Sequence, residues 1–166
     1  MAKTIGIGAQ IKDAFTRDTV QALSTLGYKA MMNAYAKRGF QHRTRNLHDS
    51  YGSAVYVDGV LVEKSIRYVG GILSRKVDPK TKKTGRETLE DYFRSHRFGT
   101  TNHEIVVIVV AAMYYAGILE SQGRYVITPA RDYIDANWES AMASVLSKYG
   151  IKEKPKARVV KGDRLR

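Results

Sequence analysis

Apolar residues recur close to every 3.6 positions from Lys12 to Lys37, at Phe15, Val20, Leu23, Gly27, Ala30, Met31 and Ala34, with no proline between. That period predicts one long helix, about 39 Å at 1.5 Å per residue. Its stripe is small in the middle (Ala22, Gly27, Ala30), which suits close approach to a sheet. At Ser53 the period changes to two. Val55 and Val57 alternate with Ala54 and Tyr56, Asp58-Gly59 follows, and Val60 and Val62 resume the alternation. Asp-Gly between two such runs predicts a β-hairpin, because both turn positions take φ > 0. The second arm extends through Ile66 and Tyr68 towards Gly70-Gly71.

From residue 74 to 103 the pattern is least regular. Asp78-Pro-Lys-Thr-Lys-Lys-Thr-Gly85 reads as a basic turn, and Glu87 to Phe98 as a short helix with Leu89, Tyr92, Phe93 and His96 on one side. His103 to Val110 is apolar on both faces, so the expectation is a central strand covered on both sides. Tyr114-Tyr115 closes it, and Gly117 to Gly123 reads as a turn. The last helix opens with Thr128 as N-cap and Pro129 at the first position, carries Ile134, Trp138, Ala141, Val145 and Tyr149, and stops at Gly150. Leu23, Val107, Val109, Trp138 and Val145 are the expected core anchors.

Chain length fits one domain, residues 1–150, with an extended loop at about 70–103 and a basic flexible arm over 151–166. No cysteine is present, which excludes disulfides and thiolate chemistry. The apolar run from Ile105 to Leu119 is shorter than the roughly 20 residues of a spanning helix, and the first residues lack the apolar stretch of a signal peptide. No membrane association is expected.

The formal charge is +12, and its distribution is uneven. Residues 37–48 carry four bases and no acid; residues 75–97 carry eight bases and four acids; residues 150–166 carry seven bases and two acids. These three segments hold the entire surplus. They supply the candidate contacts to a partner or polyanion: Arg43 and Arg45; Lys76, Lys80, Lys82, Lys83 and Arg86; and Lys152, Lys154, Lys156, Arg158, Lys161, Arg164 and Arg166. If about six of them met phosphates, log affinity would fall with log salt at a slope near −5.

Chemistry is harder to place. Gly6-Ile-Gly8 lacks the third glycine of a dinucleotide loop, since position 11 is Ile, and no Gly-Lys-Ser/Thr occurs. The four histidines, His42, His48, His96 and His103, form no His-x-x-x-His pair. His42 and His48 flank a basic loop and read as solvated or partner-contacting. Glu87, Glu90 and Asp91 alternate with Arg86, Arg94 and Arg97 at helical spacing, which favours ion pairing over paired-carboxylate catalysis. No catalytic residue, cofactor or metal is expected. Ten of the eleven tyrosines lie outside the basic clusters, Tyr92 being the exception, a placement that suits core and interface more than base stacking.

Arg43-Thr44-x-Asn46-Leu47-x-Asp49-Ser50 leads into Val55-Tyr56-Val57-Asp58-Gly59; Tyr114-Tyr115-Ala116-x3-Glu120-x2-Gly123 and Pro129-Ala130 follow. This set resembles the HK97 gp10-like family of tailed-phage neck and tail-completion proteins, in element order over about residues 10–150. The chain departs from the family pattern at Arg45, at Ser121-Gln122 and in the length of Gly70–Asn102. The resemblance implies an α+β subunit: a long N-terminal helix packed on an antiparallel β-sheet, plus an amphipathic C-terminal helix. It further implies a structural virion protein of the head–tail connector, neck or tail-completion ring. Its partners would be further copies of itself and other phage neck, tail or portal proteins, with contact to packaged DNA. Its location would be the virion, and the host cytoplasm during assembly. The competing reading is a basic nucleic-acid-binding protein.

Overall fold

The computed structural model describes residues 7–40, 45–66, 76–100 and 104–152. The order is α1 (Ile7–Ala36), α2 (Asn46–Asp49), β1 (Tyr51–Val57), β2 (Val60–Ile66), α3 (Gly85–Ser95), β3 (Ile105–Ala111), α4 (Ala116–Ser121) and α5 (Thr128–Lys148). It is an α+β fold: the long α1 packs on an antiparallel three-stranded sheet, and α5 packs on α1.

The hairpin forms as its sequence dictates. Asp58 and Gly59 have φ of 51° and 78°, and Val57 pairs with Val60 across the turn. A bulge between Val55 and Tyr56 breaks the β1–β2 register. On the other side β1 pairs with β3 without interruption, from Tyr51–Ala111 to Val57–Ile105.

The sheet order, β2-β1-β3, makes β1 central and β3 an edge. The expectation of a central β3 is corrected here. Both its faces are covered, as its double-sided apolar pattern requires: Val107 and Val109 lie with α1, Ile108 and Val110 with α3. Among the described residues no strand covers its flank, and every residue from Ile105 to Val110 is only half-buried. In β1, by contrast, Tyr51 to Tyr56 are all buried.

On one face α1 comes close enough that a Cβ at Gly27 would lie 2.9 Å from Val107 Cγ2 and 3.2 Å from Ser53 Cβ. Leu23, Leu26, Ala30, Met31 and Ala34 bury the stripe. The opposite face is closed by α3, whose Leu89 and Phe93 are buried over Gly52, Ala54 and Tyr56. The described part of the 70–103 segment therefore folds back onto its own sheet. Its helix starts with a capping box, Thr84 with Glu87.

α1 and α5 run antiparallel. Asn33 Nδ2 donates to the Pro129 carbonyl at 2.7 Å at one end, and Tyr149 Oη donates to Asp18 at 2.8 Å at the other. α5 ends in a Schellman motif: Ile151 N donates to Leu146 O, Gly150 N to Ser147 O, and Gly150 has φ 68°. Of the expected anchors, Leu23 and Val145 are buried, while Val107, Val109 and Trp138 are partly buried against the same clusters.

Candidate interaction surface

Three segments far apart in sequence meet where β1 begins. Ser50 O accepts from Ala112 N at 3.1 Å, which ties α2 to the end of β3. Asn46 Oδ1 accepts from Gly85 N at 3.3 Å, which ties α2 to the start of α3. The approach there is so close that a Cβ on Gly85 would lie 1.8 Å from the Asn46 carbonyl oxygen. No side chain larger than hydrogen fits.

The motif residues behind this corner are structural. Asn46, Leu47, His48, Asp49 and Ser50 are all buried. His48 Nδ1 and Asp49 Oδ1 lie 2.9 Å apart, and the Tyr35 ring meets His48 edge-on at 4.6 Å. The expectation of a solvated or partner-contacting His48 is thus corrected: α2 turns it inward under α1. Tyr51 Oη donates to Val126 O at 2.8 Å. Burial first, and the Glu120 charge second, raise the Tyr51 phenol well above the ordinary tyrosine range.

Glu120 entered the sequence reading as one position of the resemblance motif, with no role assigned to it. The expected turn at 117–123 is instead the helix α4, which aims the Glu120 carboxylate at the start of α5. Oε2 accepts from Val126 N at 2.5 Å and Ile127 N at 2.7 Å; Oε1 accepts from Thr128 N at 3.1 Å and from the Thr128 hydroxyl. The N-cap position is Ile127, with no side-chain cap of its own. Thr128 is therefore not the cap; Glu120 serves the orphan amides from a distance. Burial alone would raise its pKa, but these hydrogen bonds outweigh burial and hold the carboxyl below the usual glutamate range. A signal existed: Glu120, the one carboxylate between residues 112 and 127, lies a few residues ahead of a proline-started helix.

The corner carries its positive charge outward. Arg45 is exposed, at φ 63° in the left-handed region. Lys76, Lys80, Lys82 and Lys83 are exposed and Arg86 is half-buried. Buried Asp78 organises their turn, with Oδ1 accepting from Lys80 N and Thr81 N at 2.9 Å each. Two of the bases are answered within the subunit: Lys83 pairs with Asp91, and Arg86 Nε lies 3.3 Å from Glu90. The Lys64 hydrogen bond, more than Arg86, holds Glu90 below the ordinary carboxylate range. Such exposed pairs contribute at most about 1 kcal/mol, so a stronger anion can replace them. Lys80 Nζ sits 4.3 Å from the Tyr114 ring centroid. Folding thus brings a tyrosine to the basic loop, where the linear sequence kept the two apart.

The structure joins Arg45 to the segment carrying Lys76, Lys80, Lys82, Lys83 and Arg86. Lys152 is exposed beyond the far end of α5, the end that pairs with Asp18. Arg43, Lys154, Lys156, Arg158, Lys161, Arg164 and Arg166 lie outside the described residues, as do His42 and His103. Among the described residues there is no cluster of His, Asp and Glu that could hold a metal ion, and no helix long and apolar enough to cross a membrane. No protein-family model, curated protein or solved structure matches the chain.

Proposed function

We propose that this chain is a structural virion protein of a tailed phage, part of the head–tail connector, neck or tail-completion ring, acting through subunit contacts and not through turnover. One observation carries the reading. Two stretches of the gp10-like resemblance, Asn46–Ser50 and Tyr114–Ala130, spread over more than 80 positions, converge into one corner that fixes loops and presents bases, while Val55–Gly59 form the hairpin at the other end of β1. Asn46, Asp49 and Ser50 hold α2; Tyr114 supports Lys80; Glu120 anchors α5. Asn46, Ser50 and Glu120 bond backbone groups, and His48 and Asp49 bond each other in the interior. A rigid body with charged loops at one end suits stacking between neighbours of the same assembly. Its partners would be copies of itself and other neck, tail or portal proteins, in the virion and, during assembly, the host cytoplasm.

The exposed bases at the corner favour a second reading, a nucleic-acid-binding protein. Sedimentation velocity over a concentration series, paired with salt-titrated binding to duplex DNA, separates the two. Assembly into large discrete species with weak DNA binding supports the first. A species that stays small and binds DNA tightly, with a log–log salt slope near −5, supports the second.

A further inference from the structure

The two flanks of the sheet are built differently. β2 carries Glu63 and Lys64 and is distorted by the bulge opposite Val55 and Tyr56. Charge and bulges are the ordinary means of keeping an edge from pairing. β3 has neither. It reads Ile-Val-Val-Ile-Val-Val-Ala, regular along its full length.

The direction of its free groups follows from two hydrogen bonds. Ala112 N donates to Ser50 O, and Glu104 O accepts from Asp58 N. In an antiparallel ladder alternate residues face the partner strand, so the even-numbered positions turn to β1. Ile105, Val107, Val109 and Ala111 direct their N–H and C=O groups outward.

We infer that the β3 edge is the site where a second copy of this chain pairs, antiparallel, with Ile108 opposite Ile108. Three features select that occupant. In an isologous pair each residue meets its mirror position. The segment is nearly symmetric about Ile108, so β-branched residues face each other from Val106 to Val110, Val107 meeting Val109 and Val106 meeting Val110, with Ile105 opposite Ala111 at the ends. No residue from Ile105 to Ala111 is charged, so none meets its own like charge; the same pairing of β2 about Glu63 would set carboxylate against carboxylate. Finally, the two ends of β3 are opposite in charge. Glu104, beside Asp58, stands at its start, and Lys80, over Tyr114, stands beyond its end. An antiparallel pair brings each acidic start to the partner's basic end, whereas a parallel pair would set like with like. The outward groups of Val107 and Val109 then bond across the dyad, and two three-stranded sheets become one. This pairing does not depend on the ring reading; it holds whether or not the copies also close into one.

The cysteine-free chain gives a direct test of register. At a non-hydrogen-bonded antiparallel pair the Cα atoms are about 4.5 Å apart, within disulfide reach. The Ile108→Cys protein should oxidise to a covalent dimer in high yield under mild oxidant, and Val106→Cys, which faces Val110, should not. In the unaltered full chain, hydrogen exchange at the Val107 and Val109 amides should slow by at least tenfold between low and high micromolar protein. Concentration-independent exchange at those amides would overturn the inference, whether the edge is covered by the chain's own residues or left bare. So would cross-linking of Val106→Cys that equals that of Ile108→Cys, or a wild-type chain that sediments as a monomer at high concentration.

Discussion

Removing the Glu120 carboxylate should cost more than removing an ordinary helix cap. A single N-cap side chain contributes about 1 kcal/mol, and a hydrogen bond to a charged acceptor about 1.5–3. Glu120 receives three backbone amides and one hydroxyl, and Val126, the first of them, is buried. Water can still reach the half-buried carboxylate, so these values do not sum in full. We expect Glu120→Ala to lose about 2–3 kcal/mol, which for a chain of this length lowers the melting temperature by about 5–10 °C. Glu120→Gln keeps an acceptor and should lose about 1 kcal/mol. The pH dependence has a definite sign. A carboxyl whose pKa is depressed on folding stabilises above its unfolded value, about 4.3 for glutamate, and loses that contribution as pH falls through the folded value. The gap between wild type and Glu120→Gln should therefore be full at pH 7 and shrink towards pH 3. Calorimetry at both pH values measures it. A loss below about 0.5 kcal/mol for Glu120→Ala at pH 7, or a Gln gap indifferent to pH, would refute the capping role.

Gly85→Ala must push α2 away from α3, because both clashing groups are backbone; overpacking of this kind costs about 1–3 kcal/mol, and thermal melting should place it at the upper end. Trp138→Ala should cost about 3 kcal/mol, the low end for a large aromatic since the ring is only partly buried. Trp138→Phe should cost much less, because it also removes a buried Nε1 that has no hydrogen-bond partner among the described residues; denaturant titration of the two variants checks both. Deleting residues 152–166 should leave the melting temperature within about 2 °C of wild type and impair assembly, since α5 is already closed by its Schellman motif at Gly150.

Local periodicity made α1, the hairpin, α3 and α5 legible, because each buries a stripe whose spacing is set by its own geometry. The lateral order of strands was not legible. A double-sided apolar run reports that helices cover both faces, which is true of β3 through α1 and α3, but says nothing of whether a strand lies beside it. The inward turn of His48 was hidden for a related reason. Its surroundings in sequence are basic and polar, and its burial rests on a hydrogen bond to the neighbouring Asp49 and on the tertiary contact with Tyr35, which the sequence does not show. The role of Glu120 was hidden because its carboxylate serves amides six to eight residues away. The basic segments were read as charge, but not as neighbours; Arg45 comes to the 76–86 segment because the next residue, Asn46, packs against Gly85, which has no side chain.

The proposed function requires the chain to assemble. Negative-stain electron microscopy of the purified full chain, alone and mixed with tail or portal components of a tailed phage, tests it most directly. A connector subunit should give ring-shaped particles of uniform diameter, formed alone or on those components. Particles no larger than a monomer or dimer in every mixture would contradict it.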